Sequence, residues 1–235
     1  MYKTKDNQDR PSGQFNWETY FNNRKIDEIP PPLDAVSTQA LFGHLKENHF
    51  EITLQLTKVI RHLLESHPLR TDLSVLELGA ATGFLSRWLL DQYGGHALLV
   101  DVNERSQRAY QDLNAAQYYQ IDYMQRDIFE LELPGQYDVV GSFGLVEHFA
   151  DKGPILGRHA QFLKPDGVAI ILVPMDTPLN RVYWELHQEL NQGYRELLTE
   201  REFIDIFTDS PLQLLKTSHS FAYSYDFIAG LAIRR

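Results

Sequence analysis

Three carboxylates stand where a cationic nucleoside could be held. Glu77 comes two residues before Gly79 in VLELGAATGF, residues 75–84; Asp101 closes HALLVDV; Asp127 leaves the run YYQIDYMQRDI. Asp101, 22 residues past Gly79, has the acceptor geometry to take two ribose hydroxyls. Asp127 can accept from the exocyclic amine of adenine. Glu77, with backbone carbonyls from a later strand end, can face an ammonium or a sulfonium. The side-chain-poor bend from Gly79 through Ala80, Ala81 and Thr82 to Gly83 lets such a guest approach the backbone closely. Phosphate is the wrong guest. A dinucleotide loop reads Gly-x-Gly-x-x-Gly with a helix N-terminus aimed at pyrophosphate, whereas the spacing here is Gly-x-x-x-Gly behind an acid. A Walker loop would end in Gly-Lys-Ser/Thr, where this chain has Gly83-Phe84-Leu85.

Those acids need strands that end side by side. LSVLELG, HALLVDV, YYQIDYMQRDI, YDVVGSF and VAIILVP read as strands, several of them continuous apolar runs, and helical patterns alternate with them. FLSRWLLDQYG is one such helix, closed by a glycine pair. NERSQRAYQDLNAA, with Asn103 as N-cap, is another, and GPILGRHAQFLKPDG is a third with Gly167 at its end. Alternation of this kind predicts a parallel sheet covered on both faces. LQLLKTSHSF and AYSYDFIAGLAIRR have no helix between them and predict a terminal antiparallel hairpin. TERE at 199–202 is a capping box. The expected fold is α/β: a doubly wound, mostly parallel seven-stranded sheet with a C-terminal antiparallel hairpin, helices on both faces and an N-terminal helical lid. Residues 1–70 are read as a flexible tail (1–14) plus the lid, in which a helical stripe over about 37–66 carries Ile52, Leu56, Val59 and Leu63. Residues 71–235 form the core, with an aromatic-rich helical insertion at about 176–198. In such a sheet a ligand lies beyond the carboxyl ends of the strands, at the switch point; there the fourth strand presents Ser142, Phe143 and Gly144.

Composition narrows the partners. With 32 acidic against 22 basic side chains, the formal net charge of −10 repels nucleic-acid backbones. The chain has no cysteine, which removes thiolate nucleophiles, thiolate metal sites and disulfides together and fits a reducing cytoplasm. The polar start MYKTKDNQDRPSGQ has no apolar signal stretch. No window reaches the roughly 18 apolar residues of a membrane span. No HExxH-type spacing marks a metal site, so no required metal is expected.

From residue 75 onward, about two-thirds of the chain resembles the class I S-adenosylmethionine-dependent methyltransferases, small-molecule type. The carriers are VLELGAATG, LLVDVNE, QRDIF, YDVVGSFGLVEHF and LKPDGVAIILVP. The resemblance implies S-adenosyl-L-methionine as cofactor and S-adenosyl-L-homocysteine as product. It implies that Glu77, Gly79 and Gly83 shape the methionine end, with backbone contact from Ala80 and Ala81. Asp101 and Val102 would hold the ribose and flank the adenine, Asp127 and Ile128 would take the adenine, and Phe143 would offer its backbone near the amino group. The chain departs from the family pattern at one point: the middle glycine of the usual Gly-x-Gly-x-Gly is Ala81.

Methyl transfer from a sulfonium is an in-line displacement in which positioning and desolvation matter most. Where the acceptor must lose a proton, His148, beside Glu147 just after the fourth strand, is the candidate general base. Trp17, Tyr20, His49, Tyr183, Trp184 and His187 are the candidate acceptor-side residues. Their aromatic character suits a planar or hydrophobic small molecule, O- or N-methylated. Methylation of RNA or protein, carbon methylation or cyclopropanation of a lipid, and a catalytically silent cofactor-binding module are the alternatives. The acceptor atom and the oligomeric state stay open at this level.

Overall fold

The computed structural model describes residues 2–3, 15–24, 57–81, 83–104, 107, 120–220 and 226–235. Through residue 101 the elements are β1 (Tyr2–Lys3), α1 (Trp17–Arg24), α2 (57–64), β2 (Leu73–Leu78), α3 (Phe84–Tyr93) and β3 (Gly95–Asp101). Then come β4 (Gln120–Gln125), β5 (Tyr137–Phe143), α4 (Gly153–Phe162) and β6 (Leu163–Pro174). The chain continues through α5 (Pro178–Leu186), β7 (Glu196–Leu197), α6 (Glu200–Asp205), β8 (Leu212–Ser220) and β9 (Phe227–Arg234).

Seven strands form one sheet in the order β4-β3-β2-β5-β6-β9-β8. The first five run parallel, and β9 pairs antiparallel with both β6 and β8. The expected sheet and hairpin are present. The chain steps outward from β2 to β3 and β4, then returns to the other side of β2 as β5, so the switch point lies between the ends of β2 and β5.

Period-two alternation sends neighbouring side chains to opposite faces. Leu73 and Val75 join Val139, Ile170, Val59, Leu63 and Leu89 in one buried cluster, which places α2 and α3 on that face. Leu76 and Leu78 join Val140, Ile171, Ile155, Phe162 and Phe203 in a second, under α4 and α6. A third, smaller cluster joins Tyr20, Trp184, Leu190 and Leu197, with Phe15, Trp17, Tyr183 and Ala81 against it.

Local rules hold at several ends. Thr199 and Glu202 form the predicted reciprocal capping box on α6. Gly94, at φ +69, closes α3 with its N–H on the Leu90 carbonyl.

Three expectations change. Gly167 does not end a helix: α4 stops at Phe162, because Pro165 cannot continue it, and Leu163–Gly167 already belongs to β6. A β-carbon on Gly167 would meet the Tyr137 carbonyl oxygen at 2.7 Å, beside the register shift between β5 and β6. The backbones approach there too closely for any side chain. Tyr2–Lys3, inside the segment read as a tail, pair antiparallel with Leu197 and Glu196. Residues 57–64, read as part of the lid, pack into the sheet core instead, because Val59, Ile60, Leu63 and Leu64 are all buried. Most of the expected stripe before residue 57, and most of the helix after Asn103, lie outside the described residues. No described helix is long and apolar enough to cross a membrane.

Candidate active site

The turn after β2 is built from positive-φ positions: Gly79 at φ +61, Ala81 at φ +46 and Gly83 at φ +70. At the two glycines space also forbids a side chain. A β-carbon would come within 2.7 Å of Leu145 Cδ1 at Gly79 and within 2.6 Å of Leu99 Cδ1 at Gly83. Ala81 takes the same left-handed region without glycine's freedom, at a cost of about 1–2 kcal/mol. Its methyl group packs against the cluster of Tyr20 and Trp184.

Glu77 is buried and turns into the first turn of α3, where Oε2 accepts the Ser86 N–H at 2.8 Å. The N-cap residue of that helix, Gly83, makes no side-chain cap bond, so Glu77 supplies the missing acceptor from the preceding strand. Burial pushes its carboxyl up to about 7 against these hydrogen bonds.

Asp101 accepts twice from backbone: Oδ2 from Ala81 N–H at 2.8 Å and Oδ1 from Asn103 N–H at 2.9 Å. Each oxygen keeps a second lone-pair direction. Burial raises its carboxyl to about 6. Val102 beside it is exposed. Asp127 lies two residues past β4 and is exposed; its Oδ1 caps the short 3-10 turn Ile128–Glu130 by accepting the Phe129 N–H at 2.9 Å. Ile128 points into the core, while its carbonyl accepts from Arg158 Nε at 2.8 Å. Phe143 ends β5, and Gly144 N–H bonds Leu172 O at 3.0 Å. Glu77 and Asp101 thus lie on adjacent strands around one turn, and Asp127 stands further out along the same edge of the sheet.

His148 lies in the 3-10 turn Val146–His148 after β5 and is buried. Its Nδ1 donates to the Tyr194 carbonyl at 2.7 Å, which leaves Nε2 as the bare nitrogen, 3.7 Å from Glu147 Oε1. Its ring stands 4.3 Å from that of Phe15 and 4.7 Å from that of Trp17. Burial, helped by Arg195 and Lys152, holds its pKa well below the ordinary histidine range, so the ring is neutral. Glu147 is buried beside it, and desolvation raises its carboxyl to about 7.

Of the acceptor-side residues, Trp17, Tyr20, Tyr183 and Trp184 are brought together in the third cluster. His187 stands at the edge of that cluster: its ring lies 4.6 Å from that of Tyr183, and its Nδ1 turns to Glu189 Oε1 at 3.0 Å. His49 lies outside the described residues. The N-terminal segment is fastened to the region after α5 by backbone, with Asn16 N–H on Gln192 O at 2.8 Å and a bridge between Phe15 and Gly193. The insertion is held to the sheet by buried Asn180, which donates to Met175 O at 2.8 Å and accepts from Asp226 N–H at 2.8 Å. Sequence reasoning missed Arg195, buried over Trp184 at 3.8 Å. A lone arginine in the apolar and aromatic run GYRELL is the signal that could have found it.

Comparison with known proteins identifies the family and the fold. A methyltransferase-domain family model matches residues 41–217. The chain belongs to the class I S-adenosylmethionine-dependent methyltransferase family. A malonyl-[acyl-carrier protein] O-methyltransferase of Acetivibrio thermocellus is 26% identical over 73% of this chain and 59% of its own length. A ubiquinone biosynthesis O-methyltransferase of Rickettsia typhi is 26% identical over 74% of this chain and 72% of its own. The chain therefore spans less than two-thirds of the first of these relatives. The magnesium protoporphyrin IX methyltransferase of Synechocystis PCC 6803, solved with bound S-adenosylhomocysteine, superposes with a TM-score of 0.63 at 20% identity, covering 93% of this chain and 95% of that one. The 1,6-didemethyltoxoflavin N1-methyltransferase of Burkholderia thailandensis gives a TM-score of 0.63 at 14% identity, covering 100% and 99%. At these identities the likeness is one of fold.

Proposed function

We propose that the chain methylates a small-molecule acceptor on oxygen or nitrogen, in the reducing cytoplasm, and that the turn after β2 and the ends of β3, β4 and β5 hold the methyl donor. The observation that carries this reading is the Asp101 carboxylate. It is buried, oriented by two backbone N–H groups, and has acceptor capacity left on both oxygens, as a vicinal diol requires. The donor set fits the group around it as well. Buried Glu77 raises its affinity for a proton at the place where a sulfonium or ammonium would replace that proton. Glycines 79 and 83, with Ala80 and Ala81, bring backbone against the methionine portion. Val102 flanks the adenine, Asp127 and the Ile128 backbone meet its edge, and Phe143 faces the amino group with its backbone.

When bound, S-adenosylmethionine supplies an activated methyl group, so the chain's own residues chiefly orient and desolvate. The aromatic lid of Phe15, Trp17, Tyr20 and Trp184 packs against Ala81 on one side and touches the His148 ring on the other, and excludes water there. Well-oriented reactions gain roughly 7–11 kcal/mol from such positioning. Where the acceptor carries a proton, neutral His148 receives it on Nε2, with Glu147 beside it to balance the charge. The relatives named as O- and N-methyltransferases of small molecules support the substrate class, as does an aromatic lid in place of a basic surface. Residues 1–70 serve partly as lid, and 71–235 as the catalytic core with its insertion.

Calorimetry with S-adenosylmethionine and with NAD tests the donor assignment: binding of the first and not the second is expected, and NAD binding alone would overturn it. His148→Ala at saturating donor is expected to lower the rate while donor affinity is kept. Lost donor affinity would remove His148 from the acceptor side.

A further inference from the structure

We infer that the Arg195 guanidinium is the anchor for a carboxylate carried by the methyl acceptor. The inference rests on the methyl-transfer reading and names the substrate class within it.

Arg195 is 2% exposed, and although the buried Glu147 carboxyl lies near enough to feel its charge, the two form no ion pair. Its ring neighbours are Trp184 at 3.8 Å, Phe15 at 5.2 Å and Tyr20 at 5.5 Å. Among the described residues its hydrogen bond, Nη1 to Asn191 Oδ1, is 3.4 Å long, and buried Nε has no partner. Burying a cation so sparsely matched is costly, and stacking on aromatic faces offsets that cost only in part. Stacking uses the faces of the guanidinium and leaves its edge, the fork that takes a carboxylate in two parallel hydrogen bonds.

The neighbouring charges say which anion fits. Lys152 is spent on Glu196, Nζ to Oε2 2.7 Å, and the other oxygen of Glu196 accepts the Tyr194 hydroxyl. Glu147 is drawn toward its neutral form by burial and toward its ionised form by Arg195, and its Oε2 is buried with no hydrogen-bond partner among the described residues. With Lys152 paired, Arg195 supplies at most one positive charge, which matches a monoanion; a phosphate dianion would leave an excess of negative charge in a desolvated place.

Position ties the anchor to the chemistry. Arg195 follows Tyr194, whose carbonyl holds His148. It stacks on Trp184, a member of the cluster against which the Ala81 methyl packs. A carboxylate on this fork would hold the acceptor between the donor turn and His148. The anchoring itself makes and breaks no covalent bond.

The test titrates benzoate, cinnamate and hexanoate, each against its neutral amide, into the protein saturated with S-adenosylhomocysteine. At least one acid is expected to bind tenfold or more tightly than its amide. Arg195→Met is expected to abolish that preference and Arg195→Lys to recover part of it, both with affinity for S-adenosylhomocysteine intact. If no acid outbinds its amide on the wild-type protein, the inference is overturned without recourse to a variant that could fail to fold. A preference that survives in Arg195→Met also overturns it. If S-adenosylhomocysteine itself does not bind, the failure belongs to the methyl-transfer reading.

Discussion

The Ala81 N–H and the Asp101 carboxylate are joined at 2.8 Å across 20 residues of chain. That one bond fixes the turn after β2 to the tip of β3. Asp101 therefore has two jobs, holding the loop and presenting its remaining lone pairs outward.

Binding of S-adenosylhomocysteine, whose sulfur is uncharged, should follow the ionisation of Asp101. With its carboxyl raised to about 6, affinity is expected to be level above pH 7 and to fall about tenfold by pH 5, where most of the group is protonated. Asp101→Asn should bind at least tenfold more weakly at pH 8 and lose the pH step. Calorimetry across pH reads both, and a step that persists in the variant would assign it to another group.

Ala81 adopts φ +46, so substitutions there sort by backbone strain. In Ala81→Gly, relief of about 1–2 kcal/mol is offset by about 0.4–1 kcal/mol of unfolded-state entropy and by the loss of a packed methyl. The net change in a denaturant melt should stay within about 1 kcal/mol. Ala81→Val places a β-branched residue where such residues are outliers and should destabilise by more than about 2 kcal/mol.

Glu147 links stability to pH through its raised carboxyl. The unfolded chain ionises near the ordinary value of 4.5 and the folded one near 7, so the folded state binds more protons between these values and stability falls as pH rises through that window. Glu147→Gln cannot ionise. It is expected to gain stability relative to wild type on going from pH 5 to pH 8, by up to about 3 kcal/mol. A constant difference across those pH values would contradict the shift.

His159 works in the opposite sense. It is buried, its Nδ1 donates to Ile155 O, and its Nε2 receives the Ser142 hydroxyl at 2.9 Å. Burial lowers its pKa from 6.5 to about 4. Its contribution is present in full above 6.5 and is lost as pH falls toward 4, because the unfolded chain takes up the proton first. His159→Gln should lower stability at pH 8 and flatten its decline between pH 6.5 and 4, as thermal melts would show.

The sheet was legible in the sequence because its strands are continuous apolar runs punctuated by glycines with a steric duty. Gly79 and Gly83 could be recognised by type and spacing alone. Glu77 and Asp101 could be placed at strand ends, yet Glu77's role as the distant cap of α3 could not. A cap normally sits beside its helix, and this one comes from the preceding strand because Gly83 has no side chain to offer. The end of α4 was misread at Gly167, since glycine marks helix ends and close backbone approaches alike. Arg195 escaped because its meaning lies in contacts with Phe15 and Trp184, residues brought together only by the fold.

Phe15 and Trp17 press on His148 from a segment more than 120 residues earlier in the chain, while Asp101 takes its hydrogen bonds from Ala81 and Asn103. On the proposed reading, selectivity for the acceptor and grip on the donor are thus written in separate stretches of the gene.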